Sequence, residues 1–200
     1  MARFNYKEIH RSITNSKVGE KRVRAVWENR LAENKPFLLA EFDNHAVTKE
    51  IEAGPHPDVK NISETLNGQG NLFSFLGFEA GSNPTKQVRD VLENDIRLST
   101  GVKREAKSDR ARFRFSLRIP TQEINAASKM TWESGKSWVN AVQQGVSGFS
   151  HYLWKKFIGD KSRSFYGIQV KHEVREAPDK STGVSYINQI FDNFVSRLKK

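Results

Sequence analysis

Gly135-Lys136-Ser137 ends as a phosphate-binding loop does, with a lysine and a hydroxyl placed to reach phosphate oxygens. Such a loop needs another glycine five positions earlier, so that backbone N–H groups can ring the phosphates. Met130 stands there, and no apolar strand leads into it. Gly68-Gln69-Gly70 opens like a dinucleotide fingerprint, but Phe73 occupies the third glycine position, and a strand is expected where a helix is required. It reads better as a glycine turn. The five histidines are His10, His45, His56, His151 and His172, and no two share the i, i+4 spacing that puts two imidazoles on one helix face. His45 and His56 flank an expected helix end, where surface or capping roles suit them. Asp58 with Gln169-Val170-Lys171 could be set in a metal-dependent nuclease frame. There Gln169 would replace a carboxylate, which makes it a poor ligand for magnesium. Asn61-Ile62-Ser63 is a glycosylation sequon in letters only. There is no cysteine, which excludes disulfides, thiolate metal sites and thiol catalysis. No cofactor, metal ligand set or catalytic group is therefore expected.

Charge is the stronger signal. The 200 residues carry 33 Lys and Arg against 23 Asp and Glu, a net +10, which suits an acidic partner. Residues 101–118 hold seven of these cations against two acids: Lys103, Arg104, Lys107, Arg110, Arg112, Arg114 and Arg118. Over 110–120 the alternation is unbroken. Ala111, Phe113, Phe115, Leu117 and Ile119 face one way; Arg110, Arg112, Arg114, Ser116 and Arg118 face the other. Alternate side chains on a strand stand roughly 6.6–7 Å apart, so the arginines form a straight cationic row. A solvated sheet face, an acidic face of another subunit and a nucleic-acid backbone all fit it. No helix-turn-helix pattern or base-stacking platform points to sequence-specific recognition.

Residues 132–157 are rich in rings: Trp132, Trp138, Phe149, Tyr152, Trp154 and Phe157. One helix stripe cannot bury them all. Trp132, Tyr152 and Trp154 are expected at a subunit interface, where large amphipathic rings contribute most.

These residues need elements to hold them. Residues 1–35 read as a basic arm with a helix over roughly 18–33, and residues 36–200 as one domain. Lys35-Pro36 starts a second helix, closed by Gly54-Pro55. Leu72 to Phe78, apolar between glycines, reads as a buried strand. Asn83-Pro84 starts a helix with Val88, Val91, Leu92 and Ile96 on its apolar face. Residues 100–110 read as a charged linker or arm, although an edge strand could lie within 97–106. After the 110–120 strand come a broken helical region interrupted by Gly145 and Gly148, a strand over 164–175, and a last helix with Val184, Ile187, Ile190, Phe191, Phe194 and Leu198 inward. The class is α+β, a small, mostly antiparallel sheet packed against several helices. No apolar run reaches the ~18 residues a membrane span needs, and the start lacks the apolar region of a secretory signal.

Three stretches, Gly68 to Phe78, Gly135-Lys136-Ser137-Trp138-Val139 running on to Gly148, and Ser162-Arg163-Ser164 with Gly167 to Lys171, together resemble structural proteins of tailed-bacteriophage virions assigned to the neck or tail. The resemblance implies a non-enzymatic subunit of a homo-oligomeric ring: a head–tail connector, a tail terminator or an adjoining tail ring. Its partners would be identical copies, neighbouring neck or tail proteins and packaged DNA by nonspecific contact, with no membrane. Its location would be the virion, after assembly in the bacterial cytoplasm.

Overall fold

The fold was analysed in a computed structural model that describes residues 5–55, 62–66, 71–106, 111–131, 135–145, 153–154, 168–169 and 184–199. It is α+β. The elements run α1 (Tyr6–Asn15), α2 (Lys17–Asn44), α3 (Ala46–Glu52), α4 (Leu72–Phe75), α5 (Pro84–Asn94), β1 (Arg97–Ala106), β2 (Ala111–Arg118), α6 (Thr121–Ala127), α7 (Trp138–Gln144), β3 (Leu153–Trp154), β4 (Ile168–Gln169) and α8 (Ile187–Leu198). The strands pair antiparallel in two ladders, β1 with β2 and β3 with β4.

The long helix α2 is the spine. It does not stop at Lys35-Pro36 but runs straight through, across the position expected to divide arm from domain. A proline inside a helix leaves the carbonyl four residues earlier without its N–H partner. Here that residue is Ala32, and both Ala32 and Pro36 are exposed, so water can serve the orphan oxygen. Leu31, Leu38 and Phe42 meanwhile keep one buried stripe across the proline. The helix ends instead at His45, whose extended backbone and ring Nδ1, accepting the Val47 N–H at 3.2 Å, cap α3.

The run Leu72–Phe78 is a helical turn and not the expected strand. Asn71 Oδ1 accepts the Ser74 N–H at 3.0 Å and starts it. Gly77, at φ 74°, ends it, with the Phe78 N–H donating to the Phe73 carbonyl and the Gly77 N–H to that of Ser74. That paired closure needs a left-handed residue, which glycine supplies without strain. A seven-residue apolar run is long enough for either element, and here the caps decide. Glu50, fully buried, holds the same segment: it accepts from the Leu72 N–H at 2.8 Å, the Ser63 N–H at 3.0 Å and the Ser63 hydroxyl at 2.6 Å.

The core is knitted by rings in succession: Phe73 to Phe78 at 5.4 Å, Phe78 to Trp138 at 6.0 Å, Trp138 to Tyr186 at 6.1 Å and Tyr186 to Phe42 at 5.9 Å. These join α4, the turn after it, α7, the start of α8 and α2. Tyr186 donates to or accepts from the Thr48 hydroxyl at 2.7 Å. Burial pushes its phenol well above the usual range, so it stays neutral. The expected apolar faces of α5 and α8 are inward: Val88, Leu92 and Ile96, then Ile187, Ile190, Phe191, Phe194 and Leu198.

Residues 100–106, read as linker, belong to β1, and Val102 to Ala106 pair with β2. Their charges hid the strand, and a bulge between Leu98 and Val102 breaks the two-residue period. Leu153 and Trp154, expected in a helix, form β3 against Ile168 and Gln169 of the expected 164–175 strand.

Candidate interaction surface

The cationic row lies on the β1–β2 hairpin. Residues directly opposite across a ladder share a face, so the register sorts the side chains. Val102 opposes Phe115, and Arg104 opposes Phe113, on the inner face. Lys103 opposes Arg114, Glu105 opposes Arg112 and Arg97 opposes Arg118 on the outer face.

A two-stranded hairpin is marginal alone and needs something to pack against. Helix α1 and the start of α2 provide it. The Arg24 guanidinium lies 5.0 Å above the Phe115 ring and donates to the Ser99 carbonyl at 3.0 Å. Arg104 reaches inward to Glu20 on α2. Gly19 lets the helix come close: a Cβ there would stand 3.0 Å from the Ile13 carbonyl and 3.5 Å from the Phe113 ring. Phe113, Phe115 and Leu117 are thus half-buried under charged helix. The basic N-terminal helix spends part of its charge holding the hairpin.

The expected site residues divide accordingly. Lys103, Arg112, Arg114 and Arg118 are exposed on the outer face. Arg104, also exposed, lies on the other face, where it pairs with Glu20. Arg97 joins the outer face, which sequence reading missed because the bulge hides its phase. Lys107 and Arg110 lie outside the described residues, as do Trp132 and Tyr152; of Trp154 only the backbone is described.

Acids on this face are few. Glu105 pairs with Arg114 at 3.0 Å, and Glu123 of α6 pairs with Arg118. Among the described residues, Arg97, Lys103 and Arg112 make no ion pair. Two like-charge pairs, Lys103 with Arg114 and Arg97 with Arg118, therefore stand directly across the ladder. Like charges so placed are destabilising unless an anion intervenes.

Beside the hairpin, α1 leaves Tyr6 at 66%, Ile9 at 42% and Ile13 at 47% exposed, one apolar line along the helix. At its other end α2 forms a shallow groove of about 500 Å³ with α8, lined by Phe37, Glu41, Asn193 and Arg197. Arg197 caps the exposed Phe37 ring at 4.7 Å.

The residues weighed for catalysis have ordinary structural duties where they are described. Ser137 caps α7, accepting the Asn140 N–H at 3.2 Å, and its hydroxyl bonds that of Ser128 at 2.6 Å. Gly135, at φ 70°, turns the chain into that cap. His45 caps α3. Asp58, His56, Gly68, Gly70, His151, Lys171 and His172 lie outside the described residues. No group of three or more potential metal ligands occurs among the described residues, and no described helix is long and apolar enough to cross a membrane. No protein-family model, curated protein or solved structure matches the chain.

Proposed function

We propose that this chain is a non-enzymatic building block of a tailed-bacteriophage virion, one of several identical subunits in a ring at the neck or tail, of connector or terminator type. The observation that carries the assembly reading is the outer hairpin face, with its two cross-strand like-charge pairs, in each of which an acid meets one cation, Arg114 or Arg118, and the other, Lys103 or Arg97, has no ion pair among the described residues. An isolated molecule gains nothing from that arrangement. A subunit that meets anionic groups recovers the repulsion as binding energy and uses the cations to set register and orientation. The phage assignment is supported by the resemblance of the Gly68–Phe78, Gly135–Gly148 and Ser162–Lys171 stretches, and the virion is the location that goes with it.

Electron microscopy of the purified chain and of particles containing it tests this. Closed circles of repeated density, labelled by an antibody or tag on this chain, are expected. Isolated single copies in every preparation, or turnover of a defined compound by pure protein, contradict it.

A second reading is nonspecific binding to a nucleic-acid backbone, favoured by the Arg112–Arg114 row and the net +10. Binding of that kind weakens as salt rises, with a log–log slope near −0.9 for each phosphate neutralised. A steep slope that flattens in an Arg112→Ala, Arg114→Ala variant, without any self-assembly, favours this reading over the first.

A further inference from the structure

Charge is segregated along this molecule. Residues 1–30 hold eight basic and three acidic residues, whereas residues 31–96 hold eleven acidic and five basic. The structure turns this sequence asymmetry into a spatial one. The hairpin packs on the start of α2, through Glu20 and Arg24. The acids gather farther along it: Arg89 of α5 is 3.0 Å from Asp43 and 3.4 Å from Glu93, and Asp90 adjoins them. From Glu20 to Asp43 the helix advances about 35 Å at ~1.5 Å per residue. The part of the cationic face around Lys103 and Arg114 and the Asp43 end of the acidic patch thus lie toward opposite ends of α2, while Glu93, beside Lys35, stands only four residues before Arg97. Arg89 pairs with two of its three carboxylates, Asp43 and Glu93, and Lys35 donates to the Glu93 carbonyl; the Asp90 and Glu93 side chains remain exposed.

We propose that the occupant of the outer hairpin face is a second copy of this chain, docked head to tail, with Lys103, Arg112 and Arg114 of one subunit against Asp90 and Glu93 of the next. The inference deepens the ring reading and rests on it. A face whose cations outnumber its one strand acid, Glu105, meets itself across a two-fold axis only with net repulsion, so an isologous contact is disfavoured. Contact between two different faces propagates around an axis and closes as a ring when the rotation permits. Complementary ends on a single chain meet that requirement without a third component.

Two variants separate the possibilities. Variant A carries Lys103→Glu and Arg112→Glu; variant B carries Asp90→Lys and Glu93→Lys. All four side chains are exposed, and circular dichroism checks that each variant folds. If a reversal unfolds the chain, neutral Gln substitutions at the same positions replace it and must weaken assembly at least tenfold. Sedimentation velocity then reads the oligomer. Wild type should assemble, A alone and B alone should each lose assembly by tenfold or more, and an equimolar mixture should regain it. In the mixture every reversed face meets a face of opposite sign, so the mixed assembly alternates. Assembly of A alone and B alone at wild-type strength overturns this interface and leaves the ring reading standing. Wild type that stays monomeric removes both. A loss of duplex-DNA binding in A but not in B, with oligomer state unchanged, assigns the hairpin face to nucleic acid and overturns the inference.

Discussion

Lys103 and Arg114 are register partners in the β1–β2 hairpin, two cations side by side on its outer face. Glu105 reaches Arg114 at 3.0 Å and leaves Lys103 without an ion pair among the described residues. On the inner face the charges are matched: Arg104 meets Glu20, and Arg24 covers Phe115. The same hairpin therefore satisfies its charges where it joins the start of α2 and leaves Lys103, Arg97 and Arg112 without an ion pair among the described residues where it faces out.

Arg24→Ala removes both the stacking on Phe115 and the bond to the Ser99 carbonyl. A partly exposed cation–π contact and one hydrogen bond together amount to about 1–2 kcal/mol. Amide hydrogen exchange should speed up across β1 and β2 and change little in α5 and α8. Uniform acceleration over the whole chain would show that the hairpin is not a separate unit on α2.

Pro36→Ala should stabilise the protein. It restores an N–H to the Ala32 carbonyl and removes the clash of the ring with the preceding turn, a gain of about 1–3 kcal/mol. The urea midpoint should rise. A lower midpoint would mean that the proline ring packs usefully where it is exposed.

Glu50→Gln should cost about 2–3 kcal/mol. The carboxylate accepts three hydrogen bonds in a dry site, and an amide turns one of its acceptors into a donor facing a donor. Chemical denaturation measures the loss. A neutral result would show that the segment from Ser63 to Leu72 does not depend on this clip.

The His45 imidazole is held below its ordinary pKa by burial, opposed by the Ser185 backbone hydrogen bond and by Glu41. The unfolded chain therefore binds the proton more readily than the folded one. Stability from this site is present above the ordinary value of 6.5 and is lost as pH falls through the lowered folded value. His45→Asn can keep a side-chain acceptor for the Val47 N–H and should flatten stability between pH 7 and pH 5 relative to wild type. An unchanged pH profile assigns the trend to other groups.

How far the fold could be read in the sequence follows from where local chemistry was decisive. Asn83-Pro84 marked α5 because a cap and a first-turn proline have few other uses together. β2 was legible because its alternation is unbroken. The Leu72–Phe78 run was not, since apolar length alone does not distinguish a buried strand from a helical turn. Pro36 misled because the exposure that makes it tolerable is a tertiary fact. β1 was obscured by its own charges and by the bulge, and with it the partner strand that makes Lys103 and Arg97 part of the surface. Arg104 falls opposite Phe113 and pairs with Glu20, so it shares the inner face and not the cationic row, a register fact that needs the partner strand.

The mass of the purified chain in solution tests the central claim most directly. Native mass spectrometry or sedimentation equilibrium, run over a range of concentration and salt, should show one discrete multiple of 22.9 kDa that dissociates as salt rises. A species of 22.9 kDa at every concentration, in low salt as in high, would contradict it.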